Sequence, residues 1–232
     1  MERDPDTRLE LRWRAAFLTS VGVFLALALA VWIAGVLAME RDLYTWVARR
    51  SSPPVVAAFG WINYLGDARL LIPATVALPL AGIPGPLRRR WWLWVVAVLG
   101  APVLEGVAKG VVARPRPEAP SMGFPSGHVA AVAVFAVLLA YLGQKIGRAR
   151  ATRSALWLVA CLVILLVAIA RVVLRAHWPL DTAGGAALGV ACASAAIWWH
   201  ERTFPRAEGV PDAAGHEVAD TRGHAMTLRS GG

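Results

Sequence analysis

The chain has 232 residues, 57% of them hydrophobic and only 17% charged. A soluble domain carries about a quarter charged residues, so the composition excludes an ordinary soluble fold and points to an integral membrane protein. The formal charge is +9, but the basic residues sit in short segments between apolar runs (Arg88, Arg89 and Arg90, then Lys145, Arg148, Arg150 and Arg153), which is the positive-inside pattern of cytoplasmic loops and not a nucleic-acid surface.

Residues 1–14 are polar and of mixed charge and read as a cytoplasmic N-terminus. The first apolar run predicts a membrane span over about 15–38; it is too long for a cleavable leader and lacks a clear small-residue cleavage site. The next stretch, MERDLYTWVARR (39–50), places Leu43, Trp46, Val47 and Arg50 at helical spacing and predicts a short amphipathic helix at the interface. Residues 54–66 are apolar but shorter than the roughly 20 residues a crossing needs. GDAR (66–69) interrupts the run, so 54–66 reads as a surface or re-entrant piece before a second span over 70–83. A full extra crossing would put Arg12 and Arg14 on the face opposite the Arg-rich loops, against the charge rule.

Four more spans follow, over about 91–113, 126–142, 155–174 and 179–199. Residues 201–232 are polar and rich in Gly and Ala, and read as a disordered cytoplasmic tail, with His200, His216 and His224 solvated at or in it. The two cysteines, Cys161 and Cys192, lie inside apolar runs at no metal or redox spacing and read as small buried hydrophobes. The fold expected is therefore all-α and polytopic: six transmembrane helices over 15–200, with short interfacial helices in the first outer loop. Both termini fall on the cytoplasmic side, where Trp91, Trp92, Trp94, Trp157, Trp198 and Trp199 are placed to form an aromatic belt.

The outer loops should then be poor in basic residues, yet Lys109, Arg114, Arg116, Arg171 and Arg175 all fall at the outer ends of the third and fifth spans. Charge within or beside a span is expensive and usually functional. In KGVVARPRP, Lys109 precedes Arg116 by seven residues, and Pro115 and Pro117 hold the second part extended so that the guanidinium folds back toward the ammonium. In GFPSGH, Ser126 is a good N-cap, the following N–H groups make an anion site at a helix start, and Gly127 permits close approach. His128 is the odd choice there, because a cationic histidine is disfavoured at a helix N-terminus without an accompanying anion. In ARVVLRAHWPLD, Asp181 lies four residues after His177, so its carboxylate can hold one imidazole nitrogen and leave the other free as nucleophile or base. Three separated segments thus converge on a phosphate-sized anion hole with a nucleophile and an acid, built from cations with no carboxylate cluster to hold a metal.

These residues resemble the type-2 phosphatidic acid phosphatase superfamily, whose pattern is K-x6-RP, then PSGH, then SR-x5-H-x3-D, and whose site design is shared with vanadium haloperoxidases. The matches here are Lys109, Arg116 and Pro117; Pro125, Ser126, Gly127 and His128; and Arg171, His177 and Asp181. One position departs: Ala170 stands where the family has Ser, removing one hydroxyl contact. The resemblance implies that Lys109, Arg116, Ser126, Gly127 and Arg171 bind phosphate, that His177 attacks phosphorus with Asp181 supporting it, and that His128 protonates the leaving oxygen, with no metal or other cofactor. It implies hydrolysis of lipid phosphate monoesters or diphosphates, of the undecaprenyl diphosphate, phosphatidate or phosphatidylglycerol phosphate kind. The expected partners are the substrate lipid and the bilayer, in a bacterial cytoplasmic membrane with the site facing outward. The alternatives are a phosphotransferase with an acceptor other than water and a non-catalytic lipid-binding or transport module. Glu105, one turn below Lys109, is expected to pair with it; Asp67 and Arg69 to touch substrate or bond each other; Arg114 and Arg175 to attract headgroups.

Overall fold

The computed structural model describes residues 5–77, 90–146 and 149–203. Among these the chain is helical apart from short connections and one isolated antiparallel bridge between Pro115 and Met122. The helices, numbered among the described residues, are α1 (Pro5–Ala34), α2 (Ala38–Arg50), α3 (Pro53–Asn63), α4 (Ala68–Ala77), α5 (Trp91–Val112), α6 (Gly127–Ile146), α7 (Arg150–Val173) and α8 (Pro179–Thr203); a 3₁₀ turn, Tyr64–Gly66, joins α3 to α4.

Local chemistry sets the boundaries. α1 stops where Gly35 adopts φ 64 and returns its N–H to Val31 O at 2.9 Å, a left-handed stop that glycine takes without steric cost. Pro53 and Pro179 open α3 and α8 in the first turn, where a missing N–H costs nothing. Asp67 caps α4, its Oδ1 accepting Arg69 N at 2.9 Å. Among the described residues α1, α5, α6, α7 and α8 are each long and apolar enough to cross a membrane, which is five, and α3 with α4, bent by 41° at their break, brings the number to six if the pair is one broken span and not a re-entrant loop. α4, the described part of the second expected span, ends at Ala77; its continuation to 83 lies outside the described residues.

α6 and α8 are the interior pair, flanked by α1, α5 and α7. Their contact is close because α8 presents Gly185 and Gly189, spaced as in the small-xxx-small pattern of membrane helix pairs. A Cβ on Gly189 would stand 2.6 Å from that of Ala133, so the glycine lets the two backbones meet. One core cluster gathers Leu93, Trp94, Ala101, Val134, Tyr141 and Ile197. The large apolar side chains of α1, α5 and α7, such as Leu29, Val107 and Leu162, point outward, as lipid-facing surfaces require.

Several expectations change. α1 begins at Pro5, so the segment assigned to a polar N-terminus is largely a helical extension of the first span. α8 continues to Thr203, and Glu201 is buried where it pairs with Lys145, so the helix enters the segment assigned to the tail; residues 204–232, with His216 and His224, lie outside the described residues. His200 is 7% exposed and packs on Trp94 with ring centroids 5.4 Å apart, so it is a core histidine and not a solvated one. Trp94 likewise leaves the expected belt for the core, while Trp91, Trp92 and Trp199 stay exposed. Cys161 faces outward rather than inward, an acceptable place for a small apolar group in lipid.

Candidate active site

The site lies at one end of the bundle, where α5 and α7 finish and α6 and α8 begin. Lys109 stands in the last turn of α5 and pairs with Glu105 one turn earlier, as expected. α5 ends at Ala113, which takes φ 49, and the chain then doubles back as an extended arm. Arg116 N donates to Ser121 O at 3.2 Å, Gly123 N donates to Arg114 O at 2.6 Å, and Pro115 bridges Met122. The arm returns the Arg116 side chain to the level of Lys109, with Nε donating to Met122 O at 3.1 Å.

Ser126 precedes α6, but its buried hydroxyl makes no hydrogen bond and so does not cap the helix as expected. Its backbone does the positioning: Ser126 N donates to Asp181 O at 2.9 Å and ties the starts of α6 and α8 together. Gly127 matters for space as well as approach, because a Cβ there would collide with the Glu105 carboxylate. Arg171 sits in the last turn of α7, where its carbonyl accepts Ala176 N at 3.0 Å and His177 N at 3.3 Å and turns the chain into α8. Its guanidinium Nη1 donates to Asn63 Oδ1 at 2.7 Å, so the end of α3 braces it.

A cavity of about 420 Å³ brings Lys109, Arg116, Gly127, His128, Arg171 and His177 to one wall, together with Asp67, Arg69 and Glu105. Ser126 and Asp181, both fully buried, lie behind that wall. Asp67 Oδ1 bonds the Arg69 backbone, and both side chains reach the cavity. His177 Nδ1 lies 3.5 Å from Asp181 Oδ2, which leaves Nε2 as the ring nitrogen for the cavity. Burial lowers the His177 pKa; the Asp181 carboxylate opposes that, and Arg171 and Arg116 add to the depression. The net direction favours the neutral imidazole, whose lone pair can be donated.

Residues 90–205, half of the chain, match the PAP2 superfamily. The chain belongs to the PAP2 superfamily. Among characterised members, phosphatidylglycerophosphatase B of Bacillus subtilis (strain 168) is 28% identical over 177 residues, covering 72% of this chain and 86% of the relative. The solved transmembrane PAP2-type phosphatidylglycerolphosphate phosphatase from Bacillus subtilis superposes with a TM-score of 0.73 at 22% identity, covering 82% of this chain and 98% of that one. LpxE of Aquifex aeolicus superposes with a TM-score of 0.57 at 22% identity, covering 70% and 97%. As a PAP2 chain the protein is a polytopic helical membrane protein of a lipid phosphatase family, and its motif segments are the ones the bundle gathers at one end.

The structure adds neighbours that the motifs do not contain. Arg114, assigned from the sequence to lipid headgroups, is instead 2% exposed and bridges Asp181 and Glu40. Arg175 adopts φ 56 and pairs with Glu118 at 3.5 Å. Glu118 also accepts Tyr44 OH at 2.7 Å; burial and that carboxylate push the Tyr44 pKa up to about 12, so the phenol stays a donor. The only hint of Glu40 in the sequence is a carboxylate two residues past the end of the first apolar run; Asn63 has no local signal at all, since its role depends on meeting α7 in space.

Proposed function

We propose that this PAP2 chain hydrolyses lipid phosphate monoesters or diphosphates through a phosphohistidine intermediate, at a site facing outward from a bacterial cytoplasmic membrane. The observation that carries the proposal is the shared cavity: Lys109, Arg116, Arg171 and the start of α6 line one space of about 420 Å³, with His128 and His177 in the same lining. The guanidiniums and the Lys109 ammonium hold the phosphoryl oxygens and offset the charge that builds on them in the transition state. His177 Nε2 attacks phosphorus as the bond from phosphorus to the lipid oxygen breaks. His128 gives that oxygen its proton, so a neutral alcohol, or a lipid monophosphate from a diphosphate, departs. His177 keeps its Nδ1 proton toward Asp181. His128, now neutral, takes a proton from water, whose oxygen attacks phosphorus and releases phosphate with His177 restored.

Four cations line the cavity against the two carboxylates of Asp67 and Glu105, a donor set that suits an anion better than a divalent ion. The similarity to the Bacillus phosphatidylglycerophosphatase makes phosphatidylglycerol phosphate the first substrate to test. The orientation rests on the basic residues Arg12, Arg14, Arg150 and Arg153 at the end of the bundle opposite the site. Purified protein assayed for inorganic phosphate release against a panel of lipid phosphates, in excess EDTA and with vanadate as inhibitor, should turn over at least one lipid, keep that rate in EDTA and lose it with vanadate. Absence of phosphate release across the panel, or strict dependence on an added divalent ion, would overturn the proposal; dephosphorylation of the lipid only with a non-water acceptor present, the phosphoryl group appearing on that acceptor and not as inorganic phosphate, would identify a phosphotransferase.

A further inference from the structure

Asp181 does not stand alone behind His177. Its Oδ1 accepts Arg114 Nη1 at 2.6 Å, and Arg114 extends Nη2 to Glu40 and to Gly35 O at 3.0 Å. Glu40 is held in turn: one carboxylate oxygen accepts Leu180 N at 2.9 Å and the other accepts Leu37 N at 3.2 Å. Every side chain in this chain of contacts is at most 1% exposed. Three separate segments meet in it: the first turn of α2, the arm after α5 and the first turn of α8.

We propose that Glu40 and Arg114 are positioning residues for the phosphatase, forming a buried carboxylate–guanidinium–carboxylate relay that fixes the Asp181 carboxylate against His177. The inference rests on the assignment of His177 as nucleophile. Its physical basis is a charge count. A carboxylate buried without a partner is costly. Arg114 is the partner of Asp181, but one guanidinium on one carboxylate would leave no net charge to face the imidazole. Glu40 supplies the second carboxylate, so two negative groups and one positive group leave a single negative charge behind Nδ1. When Nε2 takes the phosphoryl group and Nδ1 keeps its proton, the ring becomes cationic, and this charge is its counter-ion. The Arg114 fork also sets direction: with Oδ1 taken by Nη1, Oδ2 is the oxygen left for His177 and Trp178 N.

Neither Glu40 nor Arg114 lines the cavity, so their effect should fall on turnover and not on substrate binding. The test uses full-length protein in detergent, with Glu40→Gln and Arg114→Lys chosen as conservative changes and folding checked by gel filtration and thermal unfolding. Phosphate release from an activated aryl phosphate and inhibition by vanadate are measured alongside His177→Ala. The expected result is a kcat reduced about 10–100-fold, the scale of losing a partner that orients a working histidine, with KM and the vanadate inhibition constant within about threefold of wild type. Folded variants with wild-type kcat, or losses confined to KM, would overturn the inference. So would failure of both variants to fold, which would make the relay a structural clamp. A His177→Ala protein that still turns over would instead sink the nucleophile assignment, independently of how the relay variants behave.

Discussion

The two oxygens of Asp181 face different groups, Oδ1 meeting Arg114 while Oδ2 lies 3.0 Å from Trp178 N and 3.5 Å from His177 Nδ1. This arrangement predicts a pH effect with a definite sign. As the proposed nucleophile, His177 must be neutral; burial lowers its pKa, with Arg171 and Arg116 pushing it further down and Asp181 pulling it up. Asp181→Asn removes the pull upward, so the acid limb of kcat/KM should move to lower pH while the plateau falls because the ring cation loses its counter-charge. A kcat/KM profile of free enzyme against pH checks this; a limb displaced upward would mean that a group other than His177 sets it. At this scale the gathering of Lys109, Arg116, His128, Arg171 and His177 on one cavity was legible in the sequence, because these groups occur at fixed spacings that one helix turn or one extended arm can bring together. Lys109 to Arg116 and His177 to Asp181 are of that kind. Arg114 was misread because an arginine beside proline in an outer loop looks the same whether it faces headgroups or a buried carboxylate. Only the meeting of α2 with α8 decides between them.

Among the elements, α6 and α8 carry the site, and their separation depends on Gly185 and Gly189. A side chain at 189 would press on Ala130 O and on the Ala133 Cβ, and these belong to backbones and small groups with no room to turn aside. Gly189→Leu is therefore predicted to destabilise the bundle by about 1–3 kcal/mol or more through overpacking, read as a lower thermal unfolding midpoint in detergent. Activity should fall with it, because the bond from Ser126 N to Asp181 O ties the two helix starts. An unchanged midpoint would show that α6 and α8 are not packed as described. The crossing helices were legible from apolar length alone. The α3–α4 break was legible as GDAR, but its 41° bend was not, since the angle follows from Asp67 capping α4 and from Asn63 reaching Arg171. The buried positions of Trp94 and His200 were missed because an aromatic side chain near a span end fits a lipid belt and a helix interface equally well in sequence.

For the molecule as a whole, the proposed orientation has the candidate site outside and the Arg-rich end in the cytoplasm. Glu118 is a poor reporter of this, because it holds Tyr44 and Arg175, whereas Ala119 beside it is exposed. In a chain stripped of Cys161 and Cys192, a cysteine at Ala119 should react with an impermeant thiol reagent in intact cells; labelling only after lysis would place the chemistry on the cytoplasmic side. The central claim, that phosphoryl transfer passes through His177, has a more direct test. Purified protein is mixed with substrate carrying a radiolabelled phosphoryl group and quenched in alkali within a single turnover. The account predicts a protein-bound phosphate that is stable in alkali and lost in acid, formed by the wild-type chain and absent from His177→Ala. Acid-labile phosphoenzyme in the His177→Ala protein, or rapid wild-type turnover with none trapped in either protein while burst kinetics show an intermediate, would contradict it.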